Sequence, residues 1–335
     1  MRPDTTSIAA GSLAPSPDAA SGDVRALGSV LDLIGHTPTV ELQRFSPKEG
    51  VRIFAKLEGF NPTGSVKDRI ALSMIRRAEA EGLLRPGCEL LEPTSGNTGI
   101  SMAMICKVKG YHFTAVMPEN VSEERRQVLR AFGAKIILTE GKRGSNGAIE
   151  AAQRLAAERP DSVMLYQYGN RANPDAHYET TAPEILEAVP DVAAFVAGLG
   201  TGGTLMGVSR RLKEHNPRIQ VVAAEPNLGD LVDGLRNLDE GFVPPILDLA
   251  MLDRKLVISS EDSIRFTQEL LWREGVFAGV SSGAALACAV RVGQRLDRGN
   301  IVVLMADSGW KYLSTQLWTK GIDQATDDLR DQLLW

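Results

Sequence analysis

After about residue 28, short apolar segments rich in β-branched residues alternate with longer segments of helical periodicity. Several of the short segments are continuous apolar runs, as expected of strands that are covered on both faces of a sheet. The predicted strands are 51–57, 89–91, 113–117, 135–138, 163–166, 194–197, 220–224 and 301–305. The predicted helices between them include 66–81, 122–132, 147–158 and 262–274. This alternation predicts an α/β fold with largely parallel sheets.

The chain has 335 residues, which is enough for about two domains of ordinary size. Residues 1–28 are rich in Ala, Ser, Pro, Gly and Asp and carry few large apolar side chains. Such a segment cannot offset its ordering entropy by burial, so we predict that it is a flexible tail.

Charge and cysteine content exclude several classes of protein. The formal net charge of −5 argues against a nucleic-acid-binding protein, which is expected to carry a basic face. The three cysteines, Cys88, Cys106 and Cys288, have no C-x-x-C spacing for a metal and predict no disulfide framework. Cys106 and Cys288 lie in apolar helical patterns and are predicted to be buried. No signal peptide or membrane span is predicted, so we expect a cytoplasmic protein.

Three loop motifs fall at predicted strand-to-helix turns, where ligands bind in open α/β sheets. The first is 61–69, N-P-T-G-S-V-K-D-R. Ser65 is predicted to cap the helix, which places Lys67 in its first turn. The helix dipole disfavours an ammonium there and lowers the pKa of the amine, as a lysine that bonds covalently to a carbonyl compound requires. Taken alone, the motif also fits an ordinary surface lysine.

The second motif is 92–99, E-P-T-S-G-N-T-G, which opens a helix of small residues. Its hydroxyls, amide and backbone N–H groups converge on a helix N-terminus, where an anion such as a substrate carboxylate binds. A capped turn without a ligand is the simpler interpretation.

The third motif is 198–204, G-L-G-T-G-G-T, in which glycines allow the backbone to approach a phosphate. A tight structural turn is one alternative. A dinucleotide site is another, since the motif contains G-x-G-x-x-G and Glu225 follows Gly203 by 22 residues. That interpretation leaves the first two motifs without a function.

Together these motifs resemble the cysteine synthase family of fold-type II pyridoxal-phosphate (PLP) enzymes. Segments 61–69, 94–99 and 200–204 match its lysine, substrate and phosphate loops, and 279–284, G-V-S-S-G-A, resembles its pyridine-nitrogen motif. The resemblance covers residues 31–310. It departs at 34–39, where I-G-H-T-P-T stands in place of the usual I-G-N-T-P-L.

The resemblance implies two α/β domains, each with a twisted, largely parallel sheet, and an active site between them. The large PLP-binding domain would comprise 29–54 and 165–320, the smaller domain 55–164, and a C-terminal tail 321–335.

The resemblance also implies residue roles, with pyridoxal 5′-phosphate as cofactor and no metal. Lys67 would be the catalytic residue and would hold the cofactor covalently. The other cofactor-binding residues would be Asn97, Gly200, Thr201, Gly202, Gly203, Thr204 and Ser281. The substrate-binding residues would be Thr94, Ser95, Asn97, Thr98, Gln167 and Arg236. Ser281 would face the pyridine nitrogen, and it also fits a helix N-cap.

Within the family, the chain is most similar to the O-phosphoserine sulfhydrylases, often called the CysM type. The similarity lies in 235–244, L-R-N-L-D-E-G-F-V-P, in 307–315, and in the apolar C-terminus. It implies that Arg236 binds the substrate phosphate, which suits a permanently charged guanidinium. It implies a small ubiquitin-like carrier protein as sulfur donor, a homodimer, and a C-terminal lid over the active site.

Four alternatives stay open at this point. Arg236 could form a surface ion pair with Asp233 or Glu240. The substrate could be O-acetylserine with free sulfide. The C-terminal segment could be a permanently packed helix end. A partner protein that kept the fold without catalysis is the alternative from a different class.

Overall fold

The structure is a computed structural model that describes residues 26–94, 96–121, 123–159 and 161–334, with side chains up to residue 328. Most of the predicted flexible tail, residues 1–28, therefore lies outside the described residues, as does Ser95. The side chains of residues 329–335, at the end of the predicted C-terminal lid, also lie outside them.

Within the described residues, ten strands form two sheets. The six-stranded sheet has the order β1 (Thr39–Glu41), β2 (Val51–Leu57), β10 (Gly299–Met305), β7 (Val192–Gly198), β8 (Gln220–Pro226) and β9 (Arg254–Ile258). The four-stranded sheet has the order β5 (Lys135–Thr139), β4 (His112–Pro118), β3 (Glu89–Pro93) and β6 (Ser162–Met164). All neighbouring strands are parallel except β1 and β2.

In the part of the chain that the structure describes, ten α-helices connect or flank these strands. They are α1 (Lys67–Ala80), α2 (Asn97–Lys109), α3 (Glu123–Ala131), α4 (Gly144–Glu158), α5 (Ala172–Ala176), α6 (Ala182–Ala188), α7 (Gly203–His215), α8 (Ser260–Glu274), α9 (Val280–Arg295) and α10 (Ile322–Leu334). A turn of π-helix, His177–Thr181, joins α5 to α6. None of the helices in the described ranges is long and apolar enough to cross a membrane.

The predicted α/β fold with largely parallel sheets is confirmed. All eight predicted strands are present, and β2 has the predicted bounds. The prediction missed β1 and β9, because β1 has three residues and β9 is an edge strand with mostly exposed or half-buried side chains. The predicted C-terminal tail, 321–335, begins one residue before α10.

Apolar side chains cover both faces of the six-stranded sheet. One cluster packs α9 and α8 against one face, and a second packs α7 and α6 against the other. Cys106 and Cys288 are buried in the core, as predicted, and Cys88 is half-buried. Because β2, β10 and β7 are parallel neighbours, their carboxyl ends bring the segments after Leu57, Met305 and Gly198 together.

Candidate active site

Lys67 is the first residue of α1, and the end of β10 holds it in place. The N–H of Val66 donates to Ala306 O at 2.8 Å, and Ser65 forms a β-bridge with Asp307. The predicted N-cap is wrong by one residue, since Val66 occupies that position; the Ser65 hydroxyl still accepts from the Lys67 N–H at 3.4 Å.

The pKa of the Lys67 amine is lowered, as the sequence predicts, but burial and not the helix dipole is the main cause. Burial lowers the pKa of Lys67 to about 8, and the Asp307 carboxylate opposes that shift. Among the described residues the amine makes no hydrogen bond or ion pair. Lys67 is half-buried, and a lysine with a lowered pKa and an amine without such a partner is suited to act as a nucleophile or base.

The glycine-rich loop leads from β7 into α7, and close packing explains its glycines. Gly202 has a left-handed backbone with φ of 85°, which side chains disfavour. A Cβ at Gly203 would overlap the amide of Asn173. Asn173 in turn donates to Thr201 Oγ1 at 3.1 Å and to the carbonyl of Gln167 at 2.8 Å. The loop is therefore fixed to the segment that carries Gln167.

The second motif is held in a similar way. Thr94 Oγ1 accepts from the N–H of Gly99 at 2.9 Å, and Thr98 Oγ1 donates to Gln167 Oε1 at 2.7 Å. The buried Glu92 carboxylate accepts at 2.8 Å from the N–H of Gln167 and from that of Tyr166. Burial raises the pKa of Glu92 to about 7. These bonds bring three predicted substrate-binding residues together: Thr94, Thr98 and Gln167.

One cavity collects most of the predicted cofactor-binding residues. Its lining includes Lys67, Asn97, Gly200, Thr201, Gly202, Thr204 and Ser281. Gly203 does not line it but starts α7. Ser281 lies in the first turn of α9, whose N-cap is Gly279, so its alternative interpretation as an N-cap is wrong. Three separate loops thus meet around the Lys67 amine.

Arg236 lies next to this cavity, on the loop after β8. Its N–H donates to Leu199 O in the glycine-rich loop at 2.8 Å. The guanidinium carbon lies 5.7 Å from the ring centroid of Tyr168 and 4.7 Å from that of Phe242. Among the described residues it forms no ion pair, and Asp233 binds Arg125 at 3.1 Å instead. The alternative of an ion pair with Asp233 or Glu240 is therefore wrong.

Glu225, on which the dinucleotide alternative depends, is engaged inside the protein. The carboxylate is buried, lies 3.1 Å from Lys255 Nζ and accepts from the N–H of Leu238 at 3.3 Å. It is therefore not free to bind the hydroxyls of a ribose, which a dinucleotide site requires.

The family model described as "Pyridoxal-phosphate dependent enzyme" matches residues 30–307. The chain belongs to this family. The "Probable cysteine synthase" of Bacillus subtilis (strain 168) is 44% identical over 308 residues, which cover 88% of this chain and 99% of that protein. "Cysteine synthase B" of Salmonella typhimurium is 44% identical over 283 residues, covering 84% and 93%. The crystal structure of O-ureido-L-serine synthase has a TM-score of 0.83 at 40% identity, covering 91% and 98%. The enzyme is therefore of the cysteine synthase type and uses PLP.

The residues around the cavity fit this cofactor. Lys67 offers a free amine at one side. The glycine-rich loop offers the backbone N–H groups at the start of α7, where a phosphate is favoured. The Ser281 hydroxyl lies at the start of α9 on the same cavity wall. The amine suits the aldehyde of PLP, the glycine-rich loop suits its phosphate, and the hydroxyl suits its ring nitrogen.

Two further residues support the site, and the sequence assigned a role to neither. His177 is fully buried; its Nε2 lies 3.2 Å from Thr204 Oγ1, and its Nδ1 lies 2.9 Å from Thr181 Oγ1. Burial, and then the charge of Lys67, lower the pKa of His177, so the imidazole is neutral and can orient the Thr204 hydroxyl. The second is Asp307, whose Oδ2 accepts from Asn97 Nδ2 at 2.7 Å. Asp307 begins the segment 307–315 that resembles the family, which was the available signal for it; none of the motifs named above contains His177.

Proposed function

We propose that the enzyme makes L-cysteine from O-phosphoserine by replacing the phosphate at Cβ with sulfur. The observation that supports this substrate is Arg236, which follows the cavity-lining residue Leu235 and whose guanidinium has no carboxylate partner among the described residues. A permanent cation that no internal anion neutralises suits a phosphate dianion. O-acetylserine carries no charge at that end and gives Arg236 nothing to bind.

The roles of the other residues follow from their positions. Bound PLP supplies an acceptor for the electrons that stay on the substrate when Cα loses its proton. Lys67, which would hold PLP between turnovers, takes that proton on Nζ and later returns it. Between these two proton transfers, phosphate leaves Cβ and the sulfur nucleophile then adds at Cβ.

Loop contacts position the substrate and the cofactor. Thr94, Ser95, Thr98 and Gln167 would bind the substrate carboxylate, and Asn97 would reach both substrate and cofactor. Gly200 to Thr204 would bind the cofactor phosphate. Ser281 would face the ring nitrogen. A neutral hydroxyl there stabilises a protonated ring less than an aspartate does, which favours prompt elimination over transamination.

The test is a panel of two substrates and two sulfur sources on the purified full-length enzyme. We expect kcat/KM for O-phosphoserine to exceed that for O-acetylserine by at least about tenfold, since a charge-assisted contact contributes roughly 1.5–3 kcal/mol. Each substrate is assayed with sulfide and with a thiocarboxylated carrier protein, the two sulfur sources we propose. A preference for O-acetylserine would favour the alternative substrate. Absence of turnover together with absence of lysine-bound PLP absorbance would favour the non-catalytic alternative.

We further propose that the enzyme is a homodimer, which is supported by an apolar groove of about 900 Å³ beside the Lys67 loop. The groove is lined by Phe60, Val128, Trp310 and Leu313, with Phe60 68% and Trp310 71% exposed. Exposed apolar patches on soluble proteins mark binding surfaces. A second copy of the chain is the occupant that we propose.

Trp310→Asp is expected to dissociate the dimer, because a carboxylate buried in an apolar interface without a partner costs several kcal/mol. Sedimentation velocity on the wild type should give twice the monomer mass, and Trp310→Asp should weaken the dimer by at least about a hundredfold. Trp272→Asp is the matched control, since Trp272 is 62% exposed on α8 and does not line the groove. A dimer equally sensitive to both changes, or to neither, would place the interface elsewhere.

A further inference from the structure

Asp307 is a buried carboxylate of the site that is only half paired. It follows β10 and is 2% exposed. Its Oδ2 accepts from Asn97 Nδ2 at 2.7 Å and from the Tyr312 hydroxyl at 2.6 Å. Its Oδ1 is buried without a hydrogen-bond partner among the described residues. Because an unpaired buried carboxylate oxygen is costly, we expect a donor to reach it during function.

The backbone fixes this carboxylate close to the start of α1. Asp307 forms a β-bridge with Ser65, and its carbonyl accepts from the N–H of Gly279 at 3.2 Å. A Cβ at Gly279 would overlap Asp307 Oδ1, so the glycine is needed for the carboxylate to occupy this position. The carboxylate lines the same cavity as Lys67. Asp307 and Lys67 therefore line one small enclosure.

Charge links the two groups. Asp307 is the carboxylate that acts on the Lys67 amine against the effect of burial. Tyr312 donates to the oxygen that is already paired, and Lys311 donates to Asn97 Oδ1 at 2.6 Å. The charge of Asp307 acts on Lys67, Arg125, Lys311 and Tyr312. The charge of Lys67 also acts on His177. Arg125 and Lys311 each donate a side-chain hydrogen bond, whereas the Lys67 amine makes none among the described residues.

We propose that Asp307 is a positioning residue for Lys67, whose ammonium donates to Asp307 Oδ1 during turnover, once the amine has taken up the substrate proton. When the Cα–H bond of the substrate breaks, the proton moves to Lys67 Nζ and the electron pair stays with the substrate. Asp307 holds the ammonium beside Cα until the proton is returned. This inference rests on the proposed role of Lys67 and not on which activated serine is the substrate.

The test variant is Asp307→Asn, which keeps an oxygen for Asn97 and Tyr312 but removes the charge. The readout is the rate at which cofactor-free, full-length protein captures PLP, followed between pH 5.5 and 9 by the absorbance of lysine-bound cofactor. Only the neutral amine bonds to PLP, and the carboxylate raises the pKa of Lys67, so removing the carboxylate lowers that pKa. We expect the pH midpoint of capture to fall by about one unit and capture at pH 6 to be about tenfold faster. We expect kcat to fall by about ten- to a hundredfold.

Asp175→Asn is the matched control, because Asp175 pairs with Arg77 and Arg210 and does not line the cavity. It should change neither capture nor turnover. An unchanged capture midpoint in Asp307→Asn overturns the proposal even if kcat falls, since a purely structural role would lower kcat alone. An unchanged kcat overturns it as well. Asp307→Ser repeats the test if the amide variant does not fold. A wild type without preference for O-phosphoserine would overturn the proposed substrate but not this test, because capture requires no substrate.

Discussion

Replacing Lys67 with alanine is expected to abolish both turnover and covalent attachment of PLP. A positioned general base contributes roughly 10²- to 10⁴-fold to the rate, and this change also removes the amine that bonds to the cofactor. The second lysine nearby cannot substitute, because Lys311 Nζ is bonded to Asn97 Oδ1 at 2.6 Å and lies in the outer groove. Steady-state turnover and the absorbance of lysine-bound PLP measure the two losses separately.

The fold should survive this change, which makes the result interpretable. The Lys67 amine has no hydrogen bond or ion pair among the described residues, so alanine breaks no side-chain contact of that kind. We expect a melting temperature of the cofactor-free protein no lower than that of the wild type. Lys213→Ala is the control, since Lys213 pairs with Asp253 and does not line the cavity. Turnover near the wild-type level in Lys67→Ala would remove the basis of the proposed mechanism.

The sequence predicted those features of the fold that depend on local pattern. A continuous apolar run such as β7, Val192–Gly198, is visible because the strand lies inside the sheet and apolar side chains cover both of its faces. The three loop motifs could be placed at strand ends because the strands before them were visible in the sequence. The edge strand β9 was not visible, since its exposed face removes the apolar signal.

The site was harder to predict wherever distant segments interact. Asp307 accepts from Asn97, which is 210 residues away, and no local spacing reports such a pair. Asp233 precedes Arg236 by three residues, and this proximity suggested an ion pair between them. The fold instead places Arg125, 108 residues away, on the Asp233 carboxylate. The lowered pKa of Lys67 was predicted from the helix dipole, but burial, which the sequence does not quantify, is the larger cause.

The pairing of Asp233 with Arg125 leads to the sharpest test of the substrate. With that carboxylate engaged elsewhere, the Arg236 guanidinium lies near Tyr168 and Phe242 without a carboxylate partner among the described residues. Arg236→Ala is therefore expected to reduce kcat/KM for O-phosphoserine by about ten- to a hundredfold, the effect of one charge-assisted contact. The value for O-acetylserine should change by less than about threefold.

Two companion variants separate charge from packing at this position. Arg236→Gln keeps most of the side-chain stem beside Tyr168 and Phe242 but removes the charge, so it should lose O-phosphoserine activity almost as far as alanine does. Arg236→Lys keeps the charge without the planar fork and should recover part of the loss. Kinetics are measured with both substrates at fixed sulfide concentration, because the ratio of the two kcat/KM values cancels general damage to the site. Equal losses for both substrates in all three variants would assign Arg236 to packing of the aromatic pair, and the phosphate would then need another cation.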